Sequence, residues 1–192
     1  VQVFIGRDLA FYFQENFPKS TFIVFDCFRS TEIFANGNLK SFGHYKNLVG
    51  FKGRVICGNI NNQADLALLG DYKFDFVFHQ AAISDTRIYD QEVIMKTNVN
   101  PFYDLLAIAK KNRAVMVYAS SAATYGNQSS PQTEGKESPE NPYGYSKYVM
   151  DQIAFRYSKE NPDLTIVGLR FFNVYGPREY YKAHTSSMII QL

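Results

Sequence analysis

Cysteine is scarce in this chain. Cys27 and Cys57 are the only two in 192 residues, and neither belongs to a CxxC or His-x-Cys cluster. That spacing excludes a disulfide framework and gives no ligand set for a structural metal, so no metal is expected. Both cysteines lie in or beside apolar runs and read as reduced core thiols of a cytosolic protein. Long hydrophobic runs are missing as well, and no stretch approaches the length of a membrane span. Neither sign of charge dominates. Twenty Lys and Arg stand against 18 Asp and Glu, a net charge of +2, so the balance makes no case for a nucleic acid or a membrane surface as partner. The opening ten residues carry Arg7 and Asp8 and do not read as a secretory leader, and no internal repeat is present.

What is present suits one globular domain with a sizeable core, at 46% hydrophobic and 20% charged residues. Short runs rich in Val, Ile, Phe and Tyr predict strands at Thr21–Phe25, Arg54–Cys57, Phe76–Phe78, Val115–Ala119 and Thr165–Leu169. Helical patterns fall between them, at Leu9–Glu15, Ala64–Leu69, Gln91–Lys111 and Tyr143–Ser158. Pro101 should kink or break the third, and Pro142 marks the start of the last. This alternation predicts an α/β fold, a doubly wound parallel sheet with helices on both faces. The most loop-like segment, Gly126 to Pro142, leaves the carboxyl end of a strand, where ligands bind in such sheets.

Two clusters carry chemistry. Tyr143 and Lys147 are four residues apart on a predicted helix and therefore share a face. Free tyrosine, with a pKa of about 10, is a poor base at neutral pH. A nearby ammonium favours the phenolate, so a tuned Tyr143 can take the proton of a sugar hydroxyl while a hydride leaves the same carbon. With fourteen tyrosines in the chain, chance spacing on an exposed helix face is the competing reading. Ser120 and Ser121 close an apolar strand; they can hydrogen-bond a reacting oxygen or serve plain turn chemistry.

Together these segments become specific. Ser121-Ala122, then Tyr125-Gly126, then Pro142-Tyr143 and Ser146-Lys147 resemble the Ser–Tyr–Lys set of extended short-chain dehydrogenases/reductases, above all the nucleotide-sugar epimerases among them. The resemblance implies a Rossmann fold and a bound dinucleotide, NADP or alternatively NAD. It makes Ser121 the catalytic serine and a substrate contact, Tyr143 the acid/base, and Lys147 its helper and a ligand of the nicotinamide ribose. His79-Gln80-Ala81-Ala82 is similar to a family segment that passes along the cofactor, which implies contacts from Gln80, Ala81 and Ala82; Asn98 matches an asparagine near the site. Arg170 to Pro177 resembles a family loop in which Asn173 touches substrate and Val174 the cofactor. The family's homo-oligomers imply the same here.

Asp26 closes the second strand of the family pattern, with Cys27 next to it. Its position implies a hydrogen bond to the adenosine ribose. Arg29 could instead meet a 2′-phosphate, and a surface charge pair is the third reading. Phe4, Ile5 and Gly6 match the end of the family's glycine loop, with Gly6 its third glycine. Val3 departs from the pattern, since a side chain there opposes pyrophosphate approach. With no strand ahead of the first helix, the opening residues are expected not to be native to that loop. The chain also stops soon after its last strand. Residues 1–170 are accordingly read as an incomplete dinucleotide-binding domain and 171–192 as the start of a truncated substrate region.

The stretch from Arg178 through Lys182 to Met188 resembles a branch that inverts an exocyclic carbon of a nucleotide sugar. The resemblance implies Lys182 as a second acid/base opposed to Tyr143, and Ser187 as a substrate contact. The pairing is chemically sensible. A keto group on an exocyclic carbon turns about a single bond, and its oxygen then needs a proton donor at a new place. Lys182 as a solvated loop lysine, or as a partner of a substrate phosphate, is the alternative. A UDP-sugar 4-epimerase and a non-catalytic dinucleotide-binding relative compete with this reading. A 4,6-dehydratase does not fit, because Ala122 and Ala123 stand where that branch carries Asp-Glu. His184 lies close by without a secure match, and His44 reads as a surface histidine.

Overall fold

In the computed structural model, the described residues are 3–177, Glu179 and 186–191. The elements follow as α1 (Val3–Asn16), β1 (Ile23–Asp26), β2 (Arg54–Cys57), α2 (Gln63–Ala67), β3 (Phe76–His79), α3 (Gln91–Asn98), α4 (Asn100–Asn112), β4 (Val115–Ser121), α5 (Pro142–Glu160), β5 (Ile166–Phe171) and α6 (Met188–Gln191). The strand–helix alternation predicted from sequence is what forms. The chain divides into two compact units: Val1–Leu68 with Gln80–Ala82 and Asn173–Leu192, and Leu69–His79 with Ile83–Phe172.

Every ladder between these strands is parallel. In the first unit β1 pairs with β2 from Ile23↔Arg54 to Asp26↔Cys57. In the second, β4 lies between β3 and β5, with registers Phe76↔Val115 and Met116↔Ile166. Parallel neighbours need a crossover, which α3 and α4 supply between β3 and β4 and α5 supplies between β4 and β5, while the segment joining β1 to β2 holds a 3-10 turn at Tyr45–Leu48. No described strand joins the two ladders, so the strands expected in one sheet form two. The architecture is Rossmann-like in both its parallel pairing and its helical connections.

Helix boundaries follow local chemistry. The long pattern beginning at Gln91 is two helices, because Pro101 in the first turn of α4 lacks the N–H that would continue α3. Asp90 caps α3 by accepting the Val93 amide at 3.1 Å, and Asn141 caps α5 by accepting the Gly144 amide at 2.8 Å. The core of the second unit gathers Ile94, Phe102, Leu106, Ala109, Met116, Met150 and Ile153, all nearly or wholly sealed from water. Cutting Met150 back to alanine there should cost about 2–5 kcal/mol.

Where the strand ends differ from expectation, they do so by one or two residues. β1 begins later, at Ile23, and β4 and β5 run on to Ser121 and Phe171. β4 extends because its ladder with β5 continues through Ser120↔Arg170 and Ser121↔Phe171, partners that polarity alone does not reveal. The cysteines are a further correction. Both thiols are free, yet both are exposed, because Cys27 follows the last residue of β1 and Cys57 ends β2 instead of facing a core. His44 is half-buried, and its Nδ1 accepts the Lys46 amide at 3.2 Å to cap a short 3-10 turn.

Candidate active site

β4 and α5 build the reacting set. β4 ends at Ser121, which turns the chain into a 3-10 turn over Ala122–Thr124 and accepts the Ala123 amide on its Oγ at 3.2 Å. α5 starts against that turn. A Cβ on Gly144 would lie 2.7 Å from the Ala123 carbonyl oxygen, so only glycine allows this approach. The close approach brings the buried Tyr143 phenol into hydrogen bonding with the Ser121 side chain. Ser121, Tyr143 and Lys147, the set that the family resemblance implied, therefore meet in one place.

Lys147 is wholly buried, and its Nζ donates to the Ala119 carbonyl at 2.7 Å. Burial pulls its pKa down to about 8, against the opposing pull of the Asp151 carboxylate. The Tyr143 phenol is shifted the other way. Burial raises it and the Ser121 hydrogen bond only partly offsets that. The expectation that the lysine would lower the tyrosine is not met in this arrangement, because Nζ is 6.0 Å from the Tyr143 ring centroid and points at a backbone carbonyl.

Asn98 is sealed inside the second unit and makes three bonds. Its Oδ1 accepts the Ile83 amide at 2.8 Å, and its Nδ2 donates to the Ile83 carbonyl and to Ser146 Oγ, both at 3.0 Å. Ser146 in turn donates to the Tyr143 carbonyl at 2.7 Å. With both amide hydrogens used by the protein, Asn98 clamps the chain after Ala82 to the catalytic helix. His79 stacks on Phe102 at 5.8 Å and stays neutral, its pKa lowered to about 3 by burial and then by the Lys147 charge.

The first unit holds the residues assigned to the dinucleotide. Gly6 lies within α1, and a Cβ there would be 3.9 Å from the Gln80 Cβ, so the helix start and the Gln80–Ala82 segment are neighbours. Phe4 and Ile5 are in the first turns of the same helix. Gln80 Oε1 is a buried acceptor without a protein partner. At the end of β1, Asp26 accepts the Phe28 amide on Oδ1 at 2.7 Å, and burial raises its carboxyl. A buried free acceptor beside a glycine and a carboxylate closing a parallel strand fit a dinucleotide's donors and ribose hydroxyls. Val174 is half-buried and Asn173 exposed. Ser187 Oγ is buried without a partner, while its amide donates to Glu179 Oε2 at 2.7 Å. Glu179, wholly buried, also accepts the Gly176 amide at 3.0 Å. Arg178, Lys182 and His184 lie outside the described residues.

Comparison with known proteins agrees with this picture. The model of the NAD dependent epimerase/dehydratase family matches residues 3–192. The chain belongs to this family. Among curated relatives, an ADP-L-glycero-D-manno-heptose-6-epimerase of Brachyspira hyodysenteriae is 34% identical over 166 residues, 84% of this chain and 52% of the relative. Among solved structures, the Helicobacter pylori ADP-L-glycero-D-manno-heptose-6-epimerase superposes with a TM-score of 0.88 at 52% identity, over 98% of this chain and 58% of that one. A Bacillus cereus UDP-glucuronic acid 4-epimerase in complex with NAD follows at 26% identity and a TM-score of 0.73, over 91% and 55% of the two chains. This member of the family thus spans little more than half the length of the relatives it matches.

Sequence reasoning missed Tyr118, Glu137, Asp151 and Arg170, which form one polar network, and Glu179. Asp151 had a legible signal, since it lies four residues beyond Lys147 and so on the same helix face. Glu179 had none, because a buried carboxylate that binds backbone amides has no characteristic spacing.

Proposed function

We propose that this chain is the front part of an enzyme that inverts C6 of ADP-D-glycero-D-manno-heptose to give ADP-L-glycero-D-manno-heptose, with NADP, or alternatively NAD, held tightly. The observation that carries the reading is the 52% identity with the Helicobacter pylori 6-epimerase across 98% of this chain. The assembled Ser121, Tyr143 and Lys147 support it, since they are what alcohol oxidation and its reversal require. Asp26, Gln80, Ala81, Ala82 and Val174 would hold the dinucleotide, with Phe4, Ile5, Gly6 and Cys27 near its phosphates and ribose.

A nicotinamide dinucleotide held by these residues would supply the hydride acceptor and donor that the oxidation and its reversal need. Tyr143 manages the proton on the substrate oxygen, and Ser121 orients that oxygen through the hydroxyl that already bonds the phenol. Lys147 supplies positive charge beside the phenol. After rotation about the C5–C6 bond, Lys182 manages the proton at the oxygen's second position. Asn173 and Ser187 would hold the sugar. The product class is a lipopolysaccharide inner-core precursor, and the enzyme is read as cytoplasmic and homo-oligomeric. No described helix is long and apolar enough to cross a membrane.

The test uses the full-length protein with ADP-D-glycero-D-manno-heptose, with and without added NADP, followed by proton NMR, and UDP-glucose in parallel. Appearance of the L-glycero epimer supports the reading, with Lys182→Met expected to abolish turnover. An unchanged heptose with conversion of UDP-glucose overturns it in favour of a 4-epimerase.

A further inference from the structure

Behind the reacting set lies a polar network with no assigned role. Asp151 is one turn beyond Lys147 on α5, and both its oxygens are engaged. Oδ1 accepts the Tyr118 hydroxyl at 2.8 Å and Oδ2 accepts Arg170 Nε at 3.0 Å. Arg170 Nη2 pairs with Glu137 at 2.8 Å, and the guanidinium lies over the Tyr125 ring at 4.8 Å. The charged side chains are well shielded, at 15%, 12% and 8% exposure for Arg170, Asp151 and Glu137.

The sheet is shaped around this network. Tyr118 pairs in register with Gly168 on β5, and a Cβ at Gly168 would stand 2.5 Å from the Tyr118 hydroxyl oxygen. The missing side chain is what lets the phenol lie across β5 to reach Asp151. Tyr118 immediately precedes Ala119, whose carbonyl holds Lys147. The same short piece of β4 therefore anchors both the ammonium and the carboxylate.

Charge completes the argument. Asp151 and Glu137 are two anions and Arg170 is one cation, so the enclosed set is neutral only when Lys147 carries its proton. A buried ammonium without an opposing charge is strongly disfavoured. The polar groups named on the surrounding elements do not supply one. His79 on β3 is neutral, Tyr143 on α5 holds its proton, Tyr118 on β4 is a phenol donating to Asp151, and Asn98 on α3 is an uncharged amide.

We propose that Asp151, pinned between Tyr118 and Arg170, is the positioning residue that keeps the buried Lys147 an ammonium and fixes where its charge lies beside Tyr143. Arg170 tempers it by sharing the carboxylate. The consequence for turnover rests on the epimerase reading above; the effect on Lys147 itself does not.

The experiment reads the two separately, in the full-length protein with its cofactor. Lysines carrying a 13C label at Cε are titrated by NMR, and the Lys147 signal is identified by its loss in Lys147→Met. Asp151→Asn should move the Lys147 titration to lower pH by about one unit or more, a tenfold or greater change in proton affinity. Arg170→Gln, which frees the carboxylate, should move it to higher pH. The basic limb of the kcat–pH profile should follow each shift, whereas a purely structural role would lower kcat without moving it. Unchanged titrations, or shifts of the same sign, overturn the proposal. Should Asp151→Asn fail to fold, Arg170→Gln decides alone: an upward shift supports the proposal, and no shift or a downward one overturns it. If the wild type turns over no nucleotide sugar, the functional reading fails while the titration still tests Asp151.

Discussion

The two units of the chain hold their functional residues in different ways. In the β3–β4–β5 unit, Ser121 caps a turn and bonds Tyr143, Lys147 is tied to the Ala119 carbonyl, and Asn98 makes three buried hydrogen bonds. In the β1–β2 unit, Gln80 Oε1 and Ser187 Oγ are buried without protein partners, and Asp26 bonds one local amide. Proton-handling groups must be right to a fraction of an ångström, so rigid elements carry them. Residues that meet a long flexible ligand can leave polar atoms for that ligand to satisfy. Mutations should therefore injure chemistry and stability in one unit, and binding in the other.

The largest effect expected is at the centre of the first group. Tyr143→Phe in the full-length protein should lower kcat about 10²–10⁴-fold while leaving dinucleotide affinity within a few-fold. Steady-state rates beside a fluorescence titration with NADP and NAD check this, and an undiminished kcat would remove Tyr143 from the proton path. Asn98→Ala comes next. It strands the Ile83 amide and carbonyl in a sealed interior, at about 1–3 kcal/mol for each group left unpaired. Urea unfolding should show that loss. Wild-type stability in the variant would mean that water replaces the clamp.

Asp26→Ala tests the other unit. Loss of a charged hydrogen bond to a ribose should weaken dinucleotide binding about ten- to a hundredfold, with kcat at saturating cofactor little changed. Calorimetric titration of both dinucleotides measures it and also separates their adenosine ends. A fall in kcat with unaltered affinity would erase the contrast between the units.

How much of this was legible depended on whether a feature repeats along the chain or arises across it. The strands at Arg54–Cys57 and Phe76, the break at Pro101 and the start of α5 follow from local rules, and all appear as expected. The Tyr143–Lys147 pair was legible because helix geometry converts a spacing of four into a shared face. The exposure of Cys27 and Cys57 was not, because an apolar run does not say which of its ends meets water. Nor was the raised phenol of Tyr143, which depends on how deeply the packing of α5 against β4 buries that side chain. The Asp151–Arg170–Glu137 network joins α5, β5 and the loop before α5, segments far apart in sequence, and only packing reveals it.

The smallest expected effect concerns His79, which the motif reading took only as a marker of the cofactor segment. Its imidazole is enclosed against Phe102 and held neutral, with a pKa near 3 against an ordinary 6.5. The unfolded chain takes up a proton as pH falls below 6.5, and the folded protein does not until about 3. Stability is therefore complete above 6.5 and is lost progressively as pH falls through that window, at about 1.4 kcal/mol per pH unit from this residue. His79→Gln removes the titration. Between pH 7 and pH 5, urea unfolding of the wild type should lose about 2 kcal/mol more than the variant does. Parallel pH dependences for the two would show that His79 is protonated in the folded state. An imidazolium would then stand beside Lys147, and the charge balance of the reacting unit would have to be redrawn around three shielded cations, with His79 added to Lys147 and Arg170.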